Sequence, residues 1–116
     1  MYAILDFKSI FNTFRQKEFG MNYKPRAKSE IILEFTRHIL KVTPGSMNDF
    51  KHWCIGISND VEKIKTDKGS LSGLMIRKSQ TPRNAREIEE YFLMKGMQNM
   101  EISGSYPTYV FIHILS

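Results

Sequence analysis

The sequence predicts a small α+β domain, in which a mainly antiparallel sheet of three strands is flanked by helices and preceded by two N-terminal helices. Helix-like spacing of apolar residues, short runs rich in β-branched and aromatic residues, and Gly or Pro turns between them support this prediction. The chain has 116 residues, the size of one ordinary domain. Residues 1–45 are predicted to form the helical part of this single domain, and residues 46–116 its α+β core.

Two helices are predicted before the first strand. Residues 2–19 carry apolar side chains at helical spacing, and Gly20 ends the run. A basic loop over residues 21–28 follows. The second helix is expected from Ser29, as its N-cap, to Lys41. Its apolar face consists of Ile31, Ile32, Phe35 and Ile39.

Three strands are predicted, over residues 51–57, residues 71–78 with an interruption at Gly73, and the segment YPTYVFIHIL near the C-terminus. Both faces of the last strand are apolar or aromatic, so a central position in the sheet is expected. Gly56 indicates either a β-bulge or a close approach of another group, and the bulge is favoured.

A helix is expected after each of the first two strands. Asn59 is placed to cap a short helix that begins near residue 60. The stronger signal is TPRNAREIEEYFLMKG, in which Thr81 is a natural N-cap, Pro82 fits the first helical position and Gly96 ends the helix. Its expected buried stripe consists of Ala85, Ile88, Tyr91 and Phe92.

Composition excludes several classes of protein. The single cysteine, Cys54, excludes an intramolecular disulfide and a zinc site built on paired cysteines. The N-terminal segment is interrupted by Asp6 and Lys8, so it does not resemble a signal peptide. Since no apolar run approaches the length of about 18 residues that a membrane span needs, a cytoplasmic protein without a membrane partner is expected.

The formal charge of +5 is concentrated near the N-terminus, where residues 1–28 hold six basic and two acidic side chains. Such density favours contact with DNA or RNA, although a solvated basic surface also accounts for it. A second basic group surrounds the turn into the strongest helix, and two lysines lie on the short helix. The candidate contacts are Arg15, Lys17, Lys24, Arg26, Lys28, Lys63, Lys65, Arg77, Lys78, Arg83 and Arg86.

Two segments resemble motifs of the GIY-YIG endonuclease superfamily. Residues 53–63, WCIGISNDVEK, resemble its second motif, which reads roughly Tyr-Ile-Gly-x-Thr-x-Asp before a short helix with an arginine. Residues 85–89, AREIE, resemble the helix that carries the metal-binding glutamate. The match covers about residues 50–96, and residues 108–112 resemble the closing strand of small GIY-YIG-like domains.

The resemblance implies a nuclease site in which a glutamate holds one divalent metal, an arginine stabilises charge on the phosphate and two tyrosines orient water. In this chain the glutamate corresponds to Glu89, the second-motif tyrosine to Cys54 and the arginine to Ile64. Tyr109 could replace a tyrosine if the last strand pairs with the first. Because loss of one well-placed charged group often lowers the rate about 100- to 1,000-fold, the resemblance implies a retained fold without its ordinary chemistry.

Other residue types give weaker signals, each with an ordinary explanation. Cys54 could act as a nucleophile but fits an apolar strand. Tyr23, among basic residues, could stack on a base or pack into the core. The scattered histidines could bind metal, and the methionines near the last loop could form a contact surface or fill the core. These residues are His38, His52, His113, Met94, Met97 and Met100.

The leading functional prediction is a non-catalytic or catalytically impaired GIY-YIG-like domain that binds DNA or RNA without a cofactor. One alternative is a nuclease that uses Mg²⁺ or Mn²⁺ at Glu89, with Tyr109 and Cys54 as substituted partners. The other is a protein-interaction module or homodimer that uses the Phe-rich N-terminal helix.

Overall fold

The computed structural model describes residues 23–43, 49–100 and 105–115. The predicted helix over residues 2–19 lies outside this part of the chain. Within it, none of the helices has the length and apolar character needed to cross a membrane. The elements are α1 (Lys28–Val42), a 3-10 turn (Asp49–His52), β1 (Trp53–Ser58), α2 (Val61–Lys68), β2 (Met75–Lys78), α3 (Pro82–Met94), β3 (Gln98–Asn99) and β4 (Tyr109–Ile114).

The described strands form a mixed four-stranded sheet in the order β2-β4-β1-β3. β4 is antiparallel to both of its neighbours, and β3 is parallel to β1. The α+β class and the central position of the last strand are therefore confirmed. The prediction of three strands was wrong by one, because β3 has only two residues, both exposed, and shows no alternating pattern.

Helices cover both faces of the sheet. Residues of α1 and α3 form one core cluster with Trp53, Ile55 and Ile57 of β1. Ile64 of α2 packs on the other face, with Ile76 of β2 and Phe111 of β4. These are called the α1–α3 face and the α2 face.

β1 and β2 point in the same direction, because each pairs antiparallel with the strand between them, β4. Both strands therefore end at the same edge of the sheet, called the carboxyl end, where β4 begins. α2 follows β1 at this end, and α3 follows β2.

The start of α3 is confirmed in detail. The Thr81 hydroxyl accepts a hydrogen bond from the Asn84 amide at 3.0 Å, and Pro82 is the first helical residue. The buried residues of α3 include Ala85, Ile88 and Phe92. Tyr91 was expected in that stripe but is 37% exposed, with the Lys95 ammonium 5.3 Å from its ring centroid.

The caps of the other helices differ from the predictions. Ala27, and not Ser29, is the N-cap of α1, where the Glu30 carboxylate accepts the Ala27 amide at 3.4 Å. Asp60, and not Asn59, caps α2 by accepting the Lys63 amide at 3.1 Å.

The first two strands, β1 and β2, begin later in the chain than predicted. Lys51 and His52 belong to the 3-10 turn that precedes β1. Residues 71–74 precede β2 and include Gly73, whose φ of 72° favours glycine.

The predicted bulge at Gly56 was wrong. Six consecutive residue pairs join β1 to β4 without interruption, from Trp53 opposite Ile114 to Ser58 opposite Tyr109. A Cβ atom at Gly56 would lie 2.6 Å from Cζ of Phe111 and 3.0 Å from Cβ of Met100. The glycine therefore allows the Phe111 ring to lie against the backbone of β1.

Candidate nucleic-acid interface

Basic side chains line a groove between α1 and the edge strand β2. The groove has a volume of about 280 Å³. Its α1 side presents residues at spacings of three and four, which lie on one face of a helix. The lining residues are Glu34, Arg37, His38, Lys41, Met75 and Arg77.

Glu34 forms ion pairs with two arginines, Arg77 within the groove and Arg26 next to it. Its Oε1 accepts a hydrogen bond from Arg77 Nε at 2.6 Å, and its Oε2 accepts one from Arg26 Nη1 at 2.8 Å. Arg77 also donates from Nη1 to the Ile76 carbonyl at 2.8 Å. One carboxylate thus orients two guanidinium groups and neutralises only one of the two charges.

Arg37 and Lys41 extend the positive charge along α1. Both side chains are exposed, and neither forms an ion pair with any of the described residues. Arg26, Arg37, Lys41 and Arg77, together with Glu34 and His38, are called the basic groove. Four cationic side chains and one carboxylate give it a net positive charge when His38 is neutral.

The groove follows the outer edge of β2. At the carboxyl end the Arg26 amide donates to the Lys78 carbonyl at 2.9 Å. At the other end His38 Nε2 lies 2.9 Å from the Gly73 carbonyl oxygen. From Lys28 to His38, α1 rises about 15 Å between these points, so the groove is long enough to contact more than one phosphate.

On the α2 face, two tyrosine rings lie beside β2, and each has a lysine ammonium group near it. The rings of Tyr23 and Tyr109 meet edge to face with centroids 5.9 Å apart. Lys65 Nζ lies 5.5 Å from the Tyr23 centroid, and Lys78 Nζ lies 5.4 Å from the Tyr109 centroid. Positive side chains therefore flank β2 on both faces of the sheet.

These rings are partly buried against the Ile64, Ile76 and Phe111 cluster. Burial raises the pKa of the Tyr23 hydroxyl, against the opposing effect of the Arg77 guanidinium. Burial also lowers the pKa of the Lys65 ammonium. Tyr23 is therefore partly buried against this cluster, between the Tyr109 ring and the Lys65 ammonium.

Several predicted phosphate contacts are engaged in surface ion pairs. Lys28 lies 2.9 Å from Glu87, and its hydrogen bond lowers the pKa of that carboxyl. Lys63 pairs with Asp67 at 3.2 Å, and the guanidinium of Arg83 lies 3.9 Å from Glu87.

The remaining predicted contacts divide into four pairs. Lys24 and Arg86 are exposed and form no ion pair within the described ranges. Arg15 and Lys17 lie outside those ranges. Arg26 and Arg77 belong to the basic groove, and Lys65 and Lys78 flank the tyrosine pair beside it.

Sequence analysis missed Arg37 and Lys41 as candidate contacts. The signal was present, because Glu34, Arg37, His38 and Lys41 repeat at helical spacing within a predicted helix. Only the fold shows that this side of α1 borders the edge strand and Arg77.

Glu89 lies on the α1–α3 face and is 6% exposed. Its Oε2 accepts a hydrogen bond from Asn99 Nδ2 at 3.2 Å, and Asn99 stands opposite Ile55 in the sheet. Burial raises the pKa of the Glu89 carboxyl, whereas the Asn99 bond acts to lower it. The carboxylate is therefore held against the β3 edge.

Cys54 and Tyr109 lie on the opposite face, because residues alternate along a strand and Trp53, Ile55 and Val110 belong to the α1–α3 core. Cys54 stands opposite His113, four residues from Tyr109, or about 13 Å along β4. The structure does not bring these two side chains to the Glu89 carboxylate.

The other parts of the predicted nuclease site are also rearranged. Ile64, at the arginine position, is buried in the α2-face core. Cys54 is buried, which raises the pKa of its thiol despite the charge of Lys68. Within residues 23–43, 49–100 and 105–115, no three His, Cys, Asp or Glu side chains lie together as metal ligands would.

No family model matches the chain, and neither does any curated protein or solved structure with which it was compared.

Proposed function

We propose that the protein is a non-catalytic nucleic-acid-binding domain that contacts backbone phosphates through the basic groove. The single observation that carries this proposal is the alignment of Arg37 and Lys41 with Arg26 and Arg77 along one edge of the sheet. Neutralisation of phosphates by such side chains supplies most of the affinity of non-specific nucleic-acid binding.

The groove has two kinds of cation. Arg26 and Arg77 are oriented by Glu34, so little side-chain entropy is lost when their remaining N–H groups meet a phosphate. Arg37 and Lys41 are exposed, so their side chains can adjust to the path of the nucleic-acid backbone. Together they supply both fixed and adaptable phosphate contacts.

We propose no cleavage activity, because stabilising the charge of the transition state requires the glutamate, the cation and the water-orienting groups to surround one phosphate. Glu89 is on one face of the sheet, whereas Cys54 and Tyr109 are on the other. Ile64 is buried at the position where the resemblance implies an arginine. We propose that any kinship with GIY-YIG domains is one of scaffold, without the metal chemistry.

The test is a salt titration of the binding of labelled single-stranded DNA, single-stranded RNA and duplex DNA. A double variant, R37Q/K41Q, removes two groove charges. We expect the slope of log K against log salt concentration to become shallower by about 1.4 on single strands, since each lost contact changes it by about 0.7.

The matched control is K51Q/K95Q, which makes the same charge change at two exposed lysines that do not line the groove. Its slope should equal that of the wild type. An equal slope for R37Q/K41Q, or an absence of binding at low salt, would contradict the proposal. Mg²⁺- or Mn²⁺-dependent cleavage that Glu89→Ala abolishes would overturn its non-catalytic part.

A further inference from the structure

Tyr106 is the most exposed aromatic residue in the described part of the chain, at 80%. It is also the one non-glycine residue there with a positive φ, at 55°. That region of backbone space is unfavourable for residues with a side chain such as tyrosine. Neither the exposed ring nor the strained backbone contributes to the stability of the fold.

The residues around Tyr106 fix its backbone in place. Asn59 Nδ2 donates to the Ser105 carbonyl at 3.0 Å, which ties one side to the end of β1. Pro107 is fully buried. The Thr108 carbonyl accepts the Ser79 amide at 2.7 Å and the Ser79 hydroxyl at 2.9 Å, which ties the other side to the end of β2.

These ties place the Tyr106 backbone at the carboxyl end of the sheet, the end at which Arg26 also bonds to β2. Ser79, which bonds to Thr108, directly follows Lys78, and the Lys78 carbonyl accepts the Arg26 amide. The nearby Asp60 carboxylate is engaged with the Lys63 amide. The Tyr106 backbone and Arg26 therefore lie at the same end of the sheet.

We infer that Tyr106 is a stacking platform for an unpaired base of a single-stranded nucleic acid whose phosphates lie in the basic groove. This inference rests on the proposed function and adds the class of substrate. A tyrosine face stacks on any base, and a ring on a fixed backbone loses little entropy when it binds. Bases inside a duplex are already stacked and do not offer a free face.

The test compares Tyr106→Ala and Tyr106→Phe for binding to single-stranded and duplex oligonucleotides. Loss of the ring should weaken single-strand binding by about 5- to 150-fold, the range that stacking of one base gives. Tyr106→Phe keeps the stacking face and should bind within about twofold of the wild type. The salt slope and duplex binding should not change, because no phosphate contact is lost.

Two further variants separate stacking from folding. Tyr106→Asn removes the ring while retaining a residue that tolerates positive φ, so it should bind as weakly as Tyr106→Ala. Tyr91→Ala removes the other tyrosine that is exposed within the described ranges, on α3, and should bind as the wild type does. Thermal unfolding monitored by circular dichroism would show that each variant folds.

The inference is overturned if Tyr106→Asn or Tyr106→Ala binds single strands as Tyr91→Ala does, or weakens single-strand and duplex binding equally. If R37Q/K41Q still changes the salt slope in that case, the proposed function stands and only the stacking site fails. Failure of the wild type to bind any oligonucleotide overturns both.

Discussion

Asn99 donates a hydrogen bond to the buried carboxylate of Glu89 at 3.2 Å and so ties α3 to the edge strand β3. The bond satisfies one carboxylate oxygen. Burial of the carboxylate is still the larger effect and raises its pKa in the folded state. The ionised form of Glu89 is therefore destabilised in the folded protein relative to the unfolded chain.

The pH dependence of Glu89 follows from the sign of that shift. Below both pKa values the carboxyl is protonated in the folded and unfolded states, and it imposes no penalty. As pH rises from the unfolded pKa through the raised folded pKa, the unfolded chain releases its proton first and stability falls. Glu89→Gln should therefore increase the free energy of unfolding at neutral pH and have little effect at acidic pH.

Chemical denaturation of the wild type and Glu89→Gln across this pH range measures the difference. Glu90→Gln is the matched control, since it removes the same charge from an exposed neighbour on α3. Equal stability of Glu89→Gln and the wild type at neutral pH would mean that the Asn99 bond fully offsets burial.

Gly56 is predicted to resist substitution because of Phe111. A Cβ atom there would lie 2.6 Å from the ring tip and 3.0 Å from Cβ of Met100, in a region where Phe111 is 3% exposed. Gly56→Ala should lower the free energy of unfolding by about 1–3 kcal/mol, as overpacking of a core does. Urea denaturation measures this change.

A double-mutant cycle with Phe111→Leu identifies the cause. If the ring is the obstacle, Gly56→Ala should cost less in the Phe111→Leu background than in the wild type. The same cost in both backgrounds would point to Met100 or to the strand backbone.

The elements that sequence analysis placed well are those fixed by local chemistry. Thr81 and Pro82 specify the start of α3 because a hydroxyl cap and a fixed φ act within one turn. The alternation along β4 also indicated that both faces are covered, and the structure shows a core cluster on each.

The features that were missed depend on distant parts of the chain. Gln98 and Asn99 form a strand because β1 offers a free edge, not because of their own β propensity. The basic groove depends on α1 lying beside β2. Separation of Glu89 from Cys54 depends on which face each helix covers, and a spacing along the sequence does not fix that choice.

His38 joins α1 to the turn before β2 and packs against the single tryptophan. Its Nε2 lies 2.9 Å from the Gly73 carbonyl oxygen, which can only accept, so this nitrogen carries the proton. Its ring meets Trp53 edge to face, with centroids 5.7 Å apart. His38→Leu leaves the carbonyl without this donor and should lower the free energy of unfolding by about 1–3 kcal/mol.

The change should also appear in the fluorescence of Trp53, since no other tryptophan contributes. We expect a shift in the emission maximum of folded His38→Leu. His52→Leu, at an exposed histidine, should leave both the emission and the stability near the wild-type values. An unchanged spectrum for His38→Leu would contradict the contact.

Glu34 is predicted to oppose nucleic-acid binding while it stabilises the groove. Its carboxylate lies between Arg26 and Arg77, so Glu34→Gln removes the one negative charge from the basic groove. A unit charge about 6 Å from a phosphate in a water-like dielectric contributes roughly 0.7 kcal/mol, so binding to an oligonucleotide should strengthen about threefold at low salt. Fluorescence anisotropy titrations would measure this gain.

The same substitution should reduce stability, because partly exposed ion pairs of this kind contribute about 0.2–1 kcal/mol each. Glu90→Gln again removes one negative charge, but outside the groove, and should leave binding close to that of the wild type. Opposite changes in affinity and stability for Glu34→Gln would show that the carboxylate positions the arginines at the expense of local positive potential. Weaker binding by Glu34→Gln would mean that orientation of Arg26 and Arg77 matters more than the charge that Glu34 cancels.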